Sequence, residues 1–266
     1  MPTARIDLFG IQIDAVSLDE TLGVIRDWVQ ASDTCRYVVT PNLDHVVQLR
    51  ANQSLQAAYH NASLVLADGW PLVVGSRLFA KPLPERVAGS DLIPAILGSA
   101  EEWGGLRVFL LGGMPGVAER ATERVHKRYP KVEIVGCHAP PLGFEHVAAE
   151  NQRIIDLVAE SGPDVVVVGL GAPKQELWLA EHHLQLACPV AIAAGATIDF
   201  LAGEQIRAPR WMQKCHLEWM FRLLQDPRRL TGRYFRDAVA LPGLLWRERE
   251  ATRHCLAKNR QRSVDS

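Results

Sequence analysis

The chain has 266 residues, 48% hydrophobic and 22% charged, a length near the upper limit for one hydrophobic core and a composition that excludes long disorder. A net charge of −1, with no RNA- or DNA-binding signature, gives no reason to expect nucleic acid as a partner. No run reaches the ~18 apolar residues of a membrane span, the start MPTARIDLFG does not read as a signal peptide, and five scattered cysteines without a CxxC pair fit a reducing compartment.

Short apolar runs alternate with amphipathic stretches. A helical pattern at Leu18–Gln30 leads to a candidate strand at Arg36–Thr40, and one at Asp44–Tyr59 leads to a strand at Leu64–Ala67. Helical Ser90–Ala100 precedes strand Val108–Leu111, and Val117–Arg128 precedes strand Glu133–Gly136. Glu145–Glu160 precedes strand Asp164–Gly169, and Gln175–His183 precedes strand Val190–Ala194. The strands are rich in Val, Ile and Leu, as strands covered on both faces are. The alternation predicts an α/β fold, Rossmann-like, with a mostly parallel sheet and helices on both faces.

In such sheets ligands bind beyond the carboxyl ends of the strands. Those ends run into TPNLD, ADGWP, GGMPG, GLGAPKQE and AGATIDF, so glycine, proline and polar groups converge on one rim. GGMPG at 112–116, with Gly112 and Gly113, suits either a phosphate contact or a tight turn before a helix. Asp68 after a strand is placed either to accept a proton from a hydroxyl or to cap an Asp-Gly turn. Pro173 and Lys174 suit a helix start, where Glu176 gains from the helix dipole; Gln175 gains little there unless a cleft uses its amide. Thr40 and Asn42 bring small hydrogen-bonding groups, Asn42 also being a natural helix cap, and Asp199 suits a sugar hydroxyl or an arginine. No metal-binding spacing, nucleophile elbow or Asp-x-Asp occurs.

The charge is divided. Residues 1–206 carry a net −9 and residues 207–262 a net +9, with Trp, Phe and Leu interleaved among the arginines of the second segment. Residues 1–206 are therefore read as the core and 207–266 as a basic, amphipathic helical appendage that lies against a membrane interface or packs on the core.

TPNLDHVVQL at 40–49, ADGWPLV at 67–73, ERVAGSDL at 85–92, GLGAPKQELW at 169–178 and AGATIDFLAG…RAPRW…LEWMFRLLQDPRRLTGRYF at 194–235 together resemble the WecG/TagA/CpsF family of bacterial glycosyltransferases, in the branch that builds exopolysaccharides. The resemblance implies inverting transfer of a sugar from a UDP-sugar to a polyprenyl-diphosphate-linked acceptor on the inner face of the cytoplasmic membrane, without a metal or other cofactor. It implies Asp68 as base, Thr40 and Gln175 as catalytic partners, and Arg222 reaching the UDP diphosphate; without a metal, arginines must meet the leaving group's charge, and Arg207 stands as the second candidate behind Arg222. Arg86, Gly89, Asp91 and Gly171 of the shared motifs join Asn42, Gly112, Gly113, Pro173, Lys174, Glu176 and Asp199 as substrate-binding residues. A homo-oligomer is compatible with it. The competing reading is a non-catalytic regulator that binds nucleotide or lipid phosphate; a dinucleotide fold is disfavoured because the first strand ends in TPN rather than GxGxxG.

Overall fold

The computed structural model describes residues 4–32 and 34–262, the side chains of Lys214, Arg229 and 255–262 excepted. The last four residues of the expected appendage, 263–266, lie outside it. The chain opens with an antiparallel hairpin, β1 (Arg5–Leu8) and β2 (Ile11–Asp14), whose two-residue turn places Phe9 and Gly10 at φ 52° and 81°. This hairpin adds to the predicted elements; Ile6, Leu8, Ile11 and Ile13 alternate as half-buried strands do. Helix α1 (Leu18–Ala31) starts at a capping box in which Ser17 and Glu20 satisfy each other's backbone N–H groups.

The six predicted strands are present as β3 (Arg36–Val39), β4 (Leu64–Val65), β5 (Leu106–Gly112), β6 (Val132–His138), β7 (Val165–Gly169) and β8 (Val190–Ala193). They form a parallel sheet in the order β4-β3-β8-β7-β5-β6. Helices α2 (Leu43–Leu49) and α3 (Gln53–Asn61) lie between β3 and β4; α4 (Trp70–Leu78) and α5 (Gly89–Gly98) lie between β4 and β5. Then come α6 (Val117–Arg128), α7 (Ala148–Ser161), α8 (Lys174–His182) and α9 (Thr197–Ala202), each after one of the last four strands. The single helix expected over Asp44–Tyr59 is two, because Asn52 takes an extended conformation and caps α3 through Leu55 N–H. Helix α4 adds to the predicted elements: Pro71 lacks the N–H that a first helical turn leaves unused, so it opens α4 well.

Both faces of the sheet are covered, and the strand residues alternate between two cores. Tyr37, Val39, Phe109, Leu111, Val166 and Val168 join one; Val38, Val108, Leu110, Val165 and Val167 join the other.

The C-terminal segment is helical: α10 (Arg210–Lys214), α11 (Glu218–Gln225) and α12 (Pro227–Arg262). Helix α12 docks through side chains spread along its length. Leu244 of α12 is buried in the first core. Arg233 and Arg236 stand 3.9 Å and 3.6 Å from the oxygens of buried Asp44 on α2. Glu248 accepts from the N–H of Phe9 at 2.7 Å and from Lys81 Nζ at 2.7 Å. A Cβ on Gly75 would come within 2.6 Å of the Phe9 ring, so a glycine in α4 is what lets that ring lie against the helix. Among the described residues no helix is long and apolar enough to cross a membrane.

Candidate functional site

The ends of all six parallel strands and the C-terminal segment enclose a cavity of about 1210 Å³. Its floor is Thr40 after β3, Asp68 after β4, Gly112 and Gly113 at the end of β5, Pro140 and Pro141 after β6, Gly171 after β7 and Gly195 after β8. Its roof includes His216, Glu218, Arg222, Arg233, Tyr234 and Leu241.

Of the sixteen residues singled out from sequence, eleven line this cavity: Thr40, Asn42, Asp68, Arg86, Gly112, Gly113, Gly171, Lys174, Gln175, Asp199 and Arg222. Five do not, and packing explains each. Gly89 lies where a Cβ would sit 3.1 Å from the Ala194 backbone, so its smallness serves helix–strand approach. Pro173 is the N-cap of α8. Glu176 is 0% exposed, behind Gln175. Asp91 and Arg207 pair with each other and tie α5 to the C-terminal segment. Gly112 lines the cavity but is also forced by its neighbours, because a Cβ there would meet the Gly169 carbonyl oxygen at 2.3 Å.

The floor groups are held by their surroundings. Thr40 donates its hydroxyl to the Ala193 carbonyl at 3.1 Å, and Asn42 Oδ1 caps α2 through Asp44 and His45 N–H. Gln175, 2% exposed, accepts from Gly195 N–H at 3.2 Å and donates to Glu176 Oε1 at 2.8 Å, so both ends of its amide brace the floor. Lys174 bonds Glu145 at 2.8 Å across the Phe144 ring. Asp199 accepts from Gln205 at 3.5 Å.

Asp68 differs. Its nearest cation, Arg86 Nη1, is 3.7 Å away, and Arg86 bonds more closely to Asp91 and Glu218. The Asp68 pKa is raised to about 7: loss of solvent is the main cause, Arg86 and Arg222 oppose it, and Glu218 and Asp91 add to it. A carboxyl group titrating there is suited to accept a proton at neutral pH. Glu176 is likewise raised to about 7 by burial, against the Gln175 hydrogen bond, and its Oε2 has no hydrogen-bond partner among the described residues.

Arg222 is the roof's available cation. It lies over the Phe200 ring at 5.3 Å and forms no salt bridge among the described residues. Sequence reasoning missed Glu218, Trp70, His216 and Arg233. The rings of Trp70 and His216 touch, closing α4 against the turn before α11. Neither local periodicity nor motif spacing points to such pairs, which lie more than a hundred residues apart.

Residues 6–255 match the model of the glycosyl transferase WecG/TagA/CpsF family. An N-acetylglucosaminyldiphosphoundecaprenol N-acetyl-beta-D-mannosaminyltransferase of Bacillus spizizenii is 33% identical over 193 residues, covering 73% of this chain and 72% of that protein. A protein of the same description from Staphylococcus aureus strain MW2 is 28% identical over 229 residues, covering 86% and 87%.

Proposed function

The chain belongs to the WecG/TagA/CpsF family of glycosyltransferases, and on that premise we propose that it moves a sugar from a UDP-sugar to a polyprenyl-diphosphate-linked sugar, with inversion and without a metal, in exopolysaccharide or other cell-surface polysaccharide synthesis. The relatives act, by their descriptions, on N-acetylglucosaminyldiphosphoundecaprenol. A large cavity whose lining includes apolar Leu43, Trp70, Ala238 and Leu241 supports an acceptor of that kind here.

The observation that carries the reading is a carboxylate of raised pKa in one cavity with a guanidinium, Arg222, that forms no salt bridge among the described residues. The acceptor hydroxyl attacks the anomeric carbon, Asp68 takes its proton, and the UDP diphosphate leaves from the opposite face. Arg222 meets the negative charge that grows on the leaving group. Asp199, Lys174 and the glycine turns bind the donor, and Thr40 and Gln175 keep the floor in register.

The division of labour extends to the membrane. Phe235, Val239 and Trp246 are 69%, 65% and 65% exposed. At ~100° per residue they fall within a ~40° arc of α12, and Arg253 continues that arc. A stripe of this kind supports peripheral attachment at the inner leaflet, where the acceptor lies.

The test is UDP release from UDP-N-acetylmannosamine and other UDP-sugars with a short-chain prenyl-diphosphate N-acetylglucosamine acceptor. Asp68→Asn should lose ~10²–10⁴-fold in turnover while UDP binding persists. Near-normal turnover of that variant removes Asp68 as base. UDP binding with no transfer by the wild type, over the whole donor panel, would favour the non-catalytic regulator.

A further inference from the structure

Beside Asp68 lies a closed ring of four charges. Arg86 places Nη2 2.6 Å from Asp91 Oδ2 and Nη1 3.3 Å from Glu218 Oε2. Arg207 meets the same two carboxylates from the other side, Nη2 on Asp91 Oδ1 and Nε 3.7 Å from Glu218 Oε1. Two guanidinium groups and two carboxylates sum to zero. Arg86 and Asp91 come from the sheet side, Arg207 and Glu218 from the C-terminal segment. Asp68 Oδ1 stands outside the ring, 3.7 Å from Arg86 Nη1, which is the nitrogen that Glu218 holds. Glu218 and Asp68 therefore approach one N–H₂ group from two sides, Glu218 the nearer.

Resting on the reading of Asp68 as base, we infer that Glu218 is a positioning residue for it: by holding Arg86 Nη1, Glu218 keeps the guanidinium from closing onto the Asp68 carboxylate. An arginine fork closed on a carboxylate gives short, charge-assisted bonds, weakens the base and occupies the lone pairs a hydroxyl must reach. The other charged or titratable neighbours do not compete for that nitrogen. Asp91 takes Nη2, Arg207 bonds Asp91 and the Ser90 carbonyl, and Arg222 faces the cavity. Tyr59 on α3, which also feels Asp68, titrates well above its ordinary range because it is buried. The raised pKa of Asp68 agrees with an arginine held back. Arg207 and Glu218 both belong to the C-terminal segment, so the contact that holds Arg86 back is made between that segment and the sheet side.

The experiment is a carboxyl ¹³C NMR titration of the full chain labelled at aspartate, with Asp68→Asn identifying the Asp68 resonance and thermal unfolding confirming that each variant folds. Glu218→Gln should lower the Asp68 midpoint by about one pH unit or more, and Glu218→Asp should return it most of the way. In an Arg86→Lys background the Glu218→Gln shift should shrink to a few tenths of a unit, since the contested nitrogen is gone. Arg207→Met, which leaves Glu218 wholly to Arg86, should move the midpoint upward, and it serves if Glu218→Gln does not fold. An unmoved midpoint in Glu218→Gln, or a shift equally large with Arg86→Lys, overturns the inference. Full turnover by Asp68→Asn would instead overturn the base assignment and leave the titration result standing, so the two failures are separable.

Discussion

The floor of the cavity and its roof hold their functional groups in opposite ways. On the floor, Thr40, Asn42 and Gln175 each have partners within a few residues of a strand end, mostly backbone groups fixed by the sheet. On the roof, Arg222 rests on an aromatic face, and the segment that carries it is held by buried Met212, Leu230 and Leu244 together with ion pairs to Asp91, Arg86, Asp44 and Lys81. Strand ends make a rigid cradle that exists before ligand arrives. A charged roof can supply what the cradle lacks, and the pairs that hold it are partly buried, where salt screens them little. Pre-organisation and counter-charge thus come from different parts of the chain.

Three changes put pressure on that contrast. The largest effect should come from the roof: Arg222→Ala should cost about 2–4 kcal/mol of transition-state stabilisation, read as a fall in kcat/KM with thermal stability unchanged. Equal losses in stability would make Arg222 a structural residue. The next comes from the floor. The Glu176 carboxyl titrates at about 7 in the folded chain, against an ordinary value of 4.5 that applies once the chain unfolds. The unfolded chain releases that proton first, so this residue lowers stability as pH rises from about 4.5 through about 7. Glu176→Gln should remove that loss and stabilise the protein at pH 8 by on the order of 1–3 kcal/mol, with no gain at pH 4. A gain of the same size at both pH values would place the cause elsewhere. The smallest effect concerns the outer surface: Phe235→Ser with Trp246→Ser should lower partitioning onto anionic vesicles roughly tenfold while thermal stability stays within ~0.5 kcal/mol. Unchanged vesicle binding would move the attachment off α12.

The floor is largely legible in the sequence, because each strand is a run of apolar residues covered on both sides and each ends in glycine, proline or polar residues. Val165–Gly169 into GLGAPKQE shows the rule: four consecutive valines make a buried strand, and the glycine- and proline-rich segment after them faces solvent or ligand. The division of charge at Arg207 is equally legible, and so is Arg222 through its motif. The hidden part depends on distance in the chain. Glu218 reads as an ordinary acidic residue opening a helix, and its meaning arises only when Arg86, 132 residues earlier, is beside it. Glu176 and Asp91 have residue types suited to ligands, yet Glu176 is buried and Asp91 is held by Arg86 and Arg207. The hairpin escapes a reading by periodicity because its strands are four residues each and their sides alternate only briefly.

The bond between the Phe9 N–H and Glu248 spans 239 residues. During synthesis at roughly 5–20 residues per second, the partner for that early amide emerges on the order of 10–50 s after it. The sheet can form meanwhile, but the chamber has no lid until its last long helix leaves the ribosome. A polypeptide that stopped before α11 would present the floor of the cavity uncovered, without Arg222 above it and without Glu218 beside Arg86.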